Sequence, residues 1–355
     1  MNLLVGIPAF NEAPTIKDVI AKIPRQLAGI DTVTVVVIDD GSDDGTGRLA
    51  REAGATVVRH HRNSGVGAAF QSMVRHALAV RADLLVTLDG DGQFNPADIG
   101  ELIQPIVAGE ALVCTASRFA DAKLVPQMPW VKKWGNRQVA NLVNMLTGHT
   151  YADVSCGFRA YHREALLRLT VYASFTYTHE TFLDLAAKKV PIVEVPLTVR
   201  GQREFGKSKV ASSVLRYGAR TAKIMLLTYR DQAPLRLCAW LALLFALVGT
   251  GLFSWSLITL LHTNTWLKWA AFAGGAMFSL AVVTLFFGFM ADIATRLRRN
   301  QEEILYWLRR GIVDHTATPV VRLTVDEEPA ARPVAAGPIT TGSIPAGIGP
   351  LLEKS

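Results

Sequence analysis

Two aspartates one residue apart, Asp89 and Asp91, end the apolar run "LVTLDGDGQFNP" and are followed by Gln93. In extended backbone, residues i and i+2 point to the same side. Two carboxylates so placed repel each other unless a cation or a proton lies between them. A hard cation such as Mg²⁺ or Mn²⁺ takes few protein oxygens and completes its shell with phosphates and water. Gly90 and Gly92 let the backbone approach a bulky ligand. The stretch reads either as a site where a metal holds a diphosphate or as a surface Asp-Gly turn, and the D-x-D pair alone does not decide.

A second acidic stretch, "VVVIDDGSDDGT", ends another apolar run. Carboxylates there can accept hydrogen bonds from a base or a ribose. Asp39 is assigned to a ligand, and Asp43 and Asp44 to capping of the helix that follows. The glycines of "GVGAA", residues 65–69, superficially match a dinucleotide fingerprint. The third glycine is absent and "HHRNS" interrupts the preceding strand, which argues against a nicotinamide site.

These residues need a frame. Strands are expected at 3–7, 33–39, 55–59, 83–89 and 111–117, as continuous apolar runs suited to a parallel sheet covered on both faces. Helices are expected at 14–27, 44–53, 66–80 and 97–108, with Pro14 and Pro96 where helices begin. This alternation predicts a doubly wound α/β domain. In such sheets ligands bind at the carboxyl ends of strands. The polar stretches "PAFNE", "DDGSDDGT", "HHRNSGVG", "GDGQ" and "RF" follow the five strands in turn, which predicts one face built for a polar ligand.

Half of the 355 residues are hydrophobic, and the mean hydropathy of +0.25 is high for a soluble protein. The apolar excess is concentrated. Leu237 to Leu261 and Trp269 to Ala291 carry no charged side chain, and each exceeds the ~20 residues that cross a hydrocarbon core. The short linker "HTNTWLK" makes them a hairpin. Arginines and a lysine at 216, 220, 223, 230 and 236 precede it, and arginines at 296, 298, 299, 309 and 310 follow it, whereas the linker offers only Lys268. The positive-inside rule then puts both termini in the cytoplasm. The net charge of +7 is placed for an anionic membrane surface rather than for nucleic acid. Arg216, Arg220, Lys223 and Arg230 share one helical face, so 207–233 reads as an amphipathic helix on the membrane surface. The composition from 316 onward predicts a disordered tail. Cys114, Cys156 and Cys238 suggest neither a disulfide framework nor a zinc site. "MNLLVGIPAF" lacks the features of a signal peptide, so the first domain is expected in the cytoplasm.

The motifs "VGIPAFNE", "VVVIDDGSDDGT", "NSGVGAA", "TLDGDGQFNP", "DVSCGFRAYHRE" and "RGQREFGKSK" occur in that order. Together they resemble the family 2 glycosyltransferases of GT-A fold. More narrowly, they resemble the polyprenyl-phosphate glycosyltransferases, the group that includes dolichol-phosphate mannose synthase. The resemblance covers about residues 1–235, and the hairpin agrees with members that carry a two-helix anchor.

The resemblance implies a role for each matching residue. Pro8, Phe10 and Glu12 match positions that contact base and ribose, and Asp39 a nucleotide-binding aspartate. Asp89, Gly90 and Asp91 match the family's D-x-D segment. Asp91 and Gln93 would hold Mg²⁺ or Mn²⁺ against the donor diphosphate, with Asp89 by the sugar or ribose. Arg118 matches an arginine facing the acceptor phosphate, and Arg203 and Lys209 a mobile basic pair closing over the phosphates. Where the family usually offers a second acceptor-binding arginine, this chain reads "WVKKWGNRQ"; Lys132, Lys133 or Arg137 would serve. A lysine there loses bidentate phosphate geometry.

The implied reaction is inverting transfer of a hexosyl group from a nucleotide-sugar, of the GDP-mannose or UDP-glucose type, to a dolichyl or undecaprenyl monophosphate. A lipid monophosphate is already an anion, so no catalytic base is nominated. The implied partners are the donor, the lipid acceptor and membrane lipids, with no nucleic acid; a homo-oligomer is left open. The expected organisation is a cytosolic GT-A domain at 1–206, an amphipathic segment at 207–234, spans at 235–261 and 269–291, a basic helix at 292–315 and the tail from 316. The expected location is a bacterial or archaeal plasma membrane. Three rivals stand beside this reading. A processive polysaccharide synthase usually carries a Q-x-x-R-W motif, which this chain lacks. A non-catalytic nucleotide-sugar-binding protein would not need intact Asp89, Asp91 and Gln93. A hairpin-anchored enzyme with a soluble acceptor would keep activity without the hairpin.

Overall fold

A computed structural model describes residues 1–121, 125, 130–170, 177–199 and 234–315. The chain divides into two units, 1–321 and 322–355, and the second lies wholly outside the described residues. So do Arg203, Lys209, the helix expected at 207–233 and the tail.

The first unit is built on a seven-stranded sheet. Its strands are β1 (Asn2–Ala9), β2 (Thr32–Asp39), β3 (Thr56–Arg59), β4 (Leu84–Thr87), β5 (Val113–Ser117), β6 (Arg159–His162) and β7 (Ile192–Pro196). Their spatial order is β3-β2-β1-β4-β6-β5-β7. β6 runs antiparallel to both of its neighbours and the other pairings are parallel. The carboxyl ends of the remaining strands therefore share one edge. From β1 the chain winds outward to β2 and β3, then crosses back to β4 on β1's other side. This reversal makes the ends of β1 and β4 a topological switch point, where open α/β sheets form the crevice that binds ligands.

The helices of this unit are α1 (Ile16–Ala21), α2 (Thr46–Glu52), α3 (Val66–Ala79), α4 (Ile99–Val107), α5 (Trp130–Thr147), α6 (Arg163–Arg168) and α7 (Thr178–Ala187). Successive strand residues face opposite ways, so one sheet fills two cores. Leu3, Val5 and Ile7 pack with Ile16 and Ile20 of α1 and Ile99 and Ile103 of α4. Leu4, Val36 and Ile38 pack with Phe70 and Met73 of α3 and Leu166 of α6. Burying each such side chain stabilises by about 1.5–3 kcal/mol. Both faces are covered, which is why the strands are apolar without alternation.

Two long helices follow, α8 (Pro234–Thr263) and α9 (Lys268–His315). Only 11% and 17% of their most apolar windows is buried within the chain. Helices this apolar and this uncovered are not soluble core helices; they form a candidate membrane hairpin. Small residues line their contact: Gly249 and Gly274 bring the two backbones together, and a Cβ on either would lie 3.0 Å from the other's carbonyl oxygen. Trp240, Trp255, Trp266 and Trp269 project outward, as aromatic side chains do at membrane interfaces.

The 48 residues of α9 extend about 70 Å, against a hydrocarbon core of about 30 Å. No break separates the expected second span from the expected basic helix. The far end docks on α6. Tyr306 donates to Glu164 Oε1 at 2.7 Å, Arg309 donates to the carbonyl oxygen of Leu169 at 2.9 Å, and Lys188 pairs with Glu302 at 3.3 Å.

Candidate active site

Both walls of the crevice are laced by hydrogen bonds that reach far along the chain. Thr15 Oγ1 donates to the Gly90 carbonyl at 2.6 Å, which ties the loop after β1 to the turn after β4. The Asn11 amide donates to Ser42 Oγ at 3.0 Å and the Glu12 amide to Thr46 Oγ1 at 2.9 Å. These tie the same loop to the one after β2. Pro8, Phe10 and Glu12 are half-buried along this wall.

Asp89 is half-buried and Asp91 buried at the end of β4. Asp91 Oδ1 accepts from the Gln93 amide at 3.1 Å, folding the turn back on itself. Asn95 then accepts from the Ala97 amide at 3.3 Å and starts the helical turn that leads into α4. Gly157 faces Asp89 from β6's side, and the Tyr177 hydroxyl donates to the Gly157 carbonyl at 3.3 Å. Burial first, and then the charge of Asp89, push the Tyr177 phenol well above its usual range.

The two aspartates at the end of β2, Asp39 within it and Asp40 just after it, do different work. Asp39 is 1% exposed; its Oδ1 accepts from the Ser42 amide at 2.9 Å, and Arg59 lies 3.7 Å from its Oδ2. Asp40 holds the next loop, accepting from the amides of Ser64 and Gly65 at 3.0 and 2.8 Å and lying 2.7 Å from His60 Nδ1. The first amides before α3 are therefore committed to Asp40, where a dinucleotide fingerprint would leave them to a pyrophosphate. Gly41 adopts φ +77° with the Arg62–Asn63 backbone 2.8 Å from where a Cβ would lie, a conformation and an approach that suit glycine. Neither expected cap is the N-cap of α2, which is Gly45 at φ +88°, a conformation that suits glycine; Asp44, one residue earlier, accepts from the Thr46 amide at 3.0 Å, whereas Asp43 is exposed and its backbone amide donates to Asn11 Oδ1. Burial raises the Asp44 carboxyl, but hydrogen bonds from Thr46 and the Ala13 amide outweigh it and hold the group below its usual range.

On the other side Arg118 follows the end of β5. Its Nε and Nη2 donate to Asp153 at 2.6 and 2.8 Å, and Nη2 also donates to Ser155 Oγ at 2.6 Å. Lys133 and Arg137 are exposed on α5; the side chain of Lys132 lies outside the described residues. Asn136, beside Arg137, contacts Ser155 Oγ at 3.3 Å, which brings α5 within two hydrogen bonds of Arg118. Sequence reasoning gave no role to Asp153, Gly157, Arg159, Tyr177 or Glu194. The signal available was the motif "DVSCGFRAYHRE", which holds the first three.

Among the described residues no group of three or more His, Cys, Asp or Glu could hold a metal by itself. The oxygens of Asp89, Asp91 and Gln93 suit a hard cation that takes the rest of its shell from phosphate and water. They do not make an all-protein cage.

The family model for glycosyl transferase family 2 matches residues 4–170. A UDP-N-acetylglucosamine–dolichyl-phosphate N-acetylglucosaminyltransferase of Methanococcus voltae is 31% identical over 211 residues, spanning 54% of this chain and 82% of that protein. A polyprenol monophosphomannose synthase of Mycolicibacterium smegmatis is 29% identical over 223 residues, spanning 60% and 82%. A crystal structure of glucosyl-3-phosphoglycerate synthase from Mycobacterium tuberculosis, with Mn²⁺, uridine diphosphate and glucosyl-3-phosphoglycerate, superposes with a TM-score of 0.50 at 22% identity, covering 65% of this chain and 79% of that one. The sheet is thus of GT-A type, doubly wound and mostly parallel.

Proposed function

The chain belongs to glycosyl transferase family 2, and on that premise we propose that it transfers a hexosyl group from a nucleotide-sugar to a polyprenyl monophosphate at the membrane surface. The observation that carries this reading is the pairing of Asp89 and Asp91 at the β1–β4 crevice with an apolar hairpin on the same chain. The similar proteins of M. voltae and M. smegmatis, named for dolichyl-phosphate and polyprenol substrates, support it. The donor is of the GDP-mannose or UDP-glucose type, and the lipid is dolichyl or undecaprenyl phosphate.

The acceptor phosphate oxygen attacks the anomeric carbon. The bond from that carbon to the diphosphate breaks, and the nucleoside diphosphate leaves with the electron pair. Attack from the opposite face inverts the anomeric configuration. Pro8, Phe10, Glu12 and Asp39 hold the nucleotide, and Asp89 lies by the sugar or ribose. Asp91 and Gln93 hold Mg²⁺ or Mn²⁺, whose chemistry when bound is to neutralise the leaving diphosphate; the manganese in the M. tuberculosis structure supports that choice. Arg118, with Lys132, Lys133 or Arg137, receives the acceptor phosphate. Arg203 and Lys209, which lie outside the described residues, supply positive charge to both anions. The work of the protein is positioning and charge stabilisation. The hairpin anchors the catalytic unit, 1–206, on the cytoplasmic side.

The test uses the full chain in detergent with Mg²⁺ or Mn²⁺, undecaprenyl and dolichyl phosphate, and radiolabelled UDP-glucose, GDP-mannose and UDP-N-acetylglucosamine. Label should pass into organic solvent with one donor, only with metal, and not with Asp91→Ala. Tight nucleotide binding with no lipid product from any donor would overturn the proposal.

A further inference from the structure

The stretch "DVSCGFR", residues 153–159, is held in place from β6, β7 and α5. Glu194 on β7 accepts from two consecutive backbone amides, Ala152 at 2.8 Å and Asp153 at 2.7 Å. Arg159, itself 1% exposed, donates to the Val154 carbonyl at 2.9 Å. Asn136 of α5 meets Ser155 Oγ at 3.3 Å, and the Ser155 amide returns to Asp153 Oδ1 at 3.1 Å. The outcome of all this is the placement of one carboxylate. Asp153 is 1% exposed and receives Arg118 through Nε, Nη2 and the backbone amide.

We infer that Asp153 is the positioning residue for Arg118 and that Glu194 anchors Asp153, so that a Glu194–Asp153–Arg118 chain sets where the acceptor phosphate is received. The inference rests on the lipid-phosphate reading above. An arginine side chain has many rotamers, and a carboxylate that takes its fork in two parallel bonds fixes both the plane and the position of the guanidinium. A pair buried this deeply is a costly way to gain stability. A loop braced from β6, β7 and α5 to hold one carboxylate is better explained by the geometry it imposes on Arg118. Burial opposes the charge on Asp153, but the hydrogen bonds and charge of Arg118 outweigh it and keep the carboxyl below its usual range, so the fork stays ionised.

The role differs from simple stabilisation in which kinetic parameter it moves. Asp153→Asn keeps the volume but turns an amide toward the arginine. It should lower kcat/KM for undecaprenyl phosphate roughly 100-fold, the cost of misplacing a reacting group by about an ångström. The KM for the nucleotide-sugar, and the affinity for UDP or GDP with Mn²⁺ measured by calorimetry, should stay within about twofold of wild type, since uniform binding of the donor is untouched. Glu194→Gln should shift the same acceptor parameter by less. In an Arg118→Ala background Asp153→Asn should cost almost nothing further, because residues acting through one another are not additive.

If Asp153→Asn leaves the acceptor parameter unchanged, or lowers donor and acceptor terms alike, the inference is overturned while the lipid-phosphate reading stands. A full additional loss from Asp153→Asn in the Arg118→Ala background also overturns it. If the wild type forms no lipid product although it binds UDP or GDP with Mn²⁺, the reading itself fails and takes the inference with it. Should Asp153→Asn not fold, Glu194→Gln alone and in the Arg118→Ala background decides by the same criteria.

Discussion

Gly157 and Asp89 face each other across a gap that one methyl group would fill. A Cβ on Gly157 would lie 3.4 Å from Asp89 Oδ2 and 3.4 Å from the Tyr177 hydroxyl. That is ordinary van der Waals contact, so alanine fits and anything larger must push either the carboxylate or the phenol. The Tyr177 ring cannot yield easily, because it stacks on Phe70 with centroids 4.1 Å apart. Gly157→Ala should therefore change donor kcat/KM little, whereas Gly157→Val should lower it about 100-fold through displacement of Asp89. Steady-state kinetics with varied nucleotide-sugar, and Mn²⁺ titration with UDP or GDP, check the series. Equal effects of alanine and valine would show that Asp89 does not depend on this gap.

His179 gives the catalytic unit a pH dependence of known sign. Burial first, and then the charge of Arg159, push its pKa down to about 4, with Asp153 opposing and Arg118 assisting. The unfolded chain takes up a proton near pH 6.5; the folded chain does so only near pH 4. Between these values the unfolded state binds more protons, so stability is full above pH 6.5 and falls as the pH falls. At about 1.4 kcal/mol per pKa unit the loss is about 3 kcal/mol. Thermal melts of the detergent-solubilised protein should fall across this window, and His179→Gln should flatten that part of the profile.

How much of this was legible depends on how local the cause is. The five strands predicted from apolar runs all form, because each run carries its own burial pattern. β6 and β7 escape such a reading. "RAYH" is polar at both ends, and Arg159 is buried because carbonyls and a hydroxyl from residues 154, 178 and 181 receive it. "IVEVP" carries Glu194, whose partners are amides 41 and 42 residues away. The first helix is shorter than expected, ending at Ala21. Pro24 accounts for this, since a proline disfavours helical backbone at the residue before it. The D-x-D pair can be proposed from the sequence because Asp89, Asp91 and Gln93 lie within five residues. The Asp153–Arg118 fork is not, because its halves are 35 residues apart in the chain.

Tyr306 joins the end of α9 to the catalytic unit. Its hydroxyl donates to Glu164 and accepts from Arg310, both at 2.7 Å, and its ring lies 4.8 Å under the Arg168 guanidinium. Leu167 and Val313 complete the contact. Tyr306→Phe removes both charge-assisted hydrogen bonds, to Glu164 and from Arg310, and should cost about 1–3 kcal/mol; Tyr306→Ala also opens the packing and should cost about 3–5 kcal/mol. Hydrogen exchange should report the loss first at the α6 amides, with UDP or GDP affinity unchanged. Unaltered protection of α6 in Tyr306→Ala would show that the dock does not stabilise that helix.

The hairpin depends on the close approach of Gly249 and Gly274. A Cβ on Gly249 would meet Met277 Cβ at 3.2 Å and Phe278 Cδ2 at 3.3 Å in addition to the Gly274 carbonyl. In lipid there is no hydrophobic force between helices, so association relies on packing of this kind and on a few polar contacts. Ser256 supplies one, donating to the Leu267 carbonyl at 3.1 Å. Gly249→Leu cannot be accommodated without separating α8 from α9 and should lower the melting temperature of the detergent-solubilised full chain. Gly251, which has nothing within 4 Å of its would-be Cβ, is the matched control, and Gly251→Leu should melt like wild type. Nucleotide binding should survive in both variants, since the crevice is built from β1 and β4 and not from the hairpin. Lipid product should fall in Gly249→Leu alone if the anchor must present the crevice to the acceptor. Equal lipid product from both variants would mean that the hairpin tethers the enzyme without orienting it.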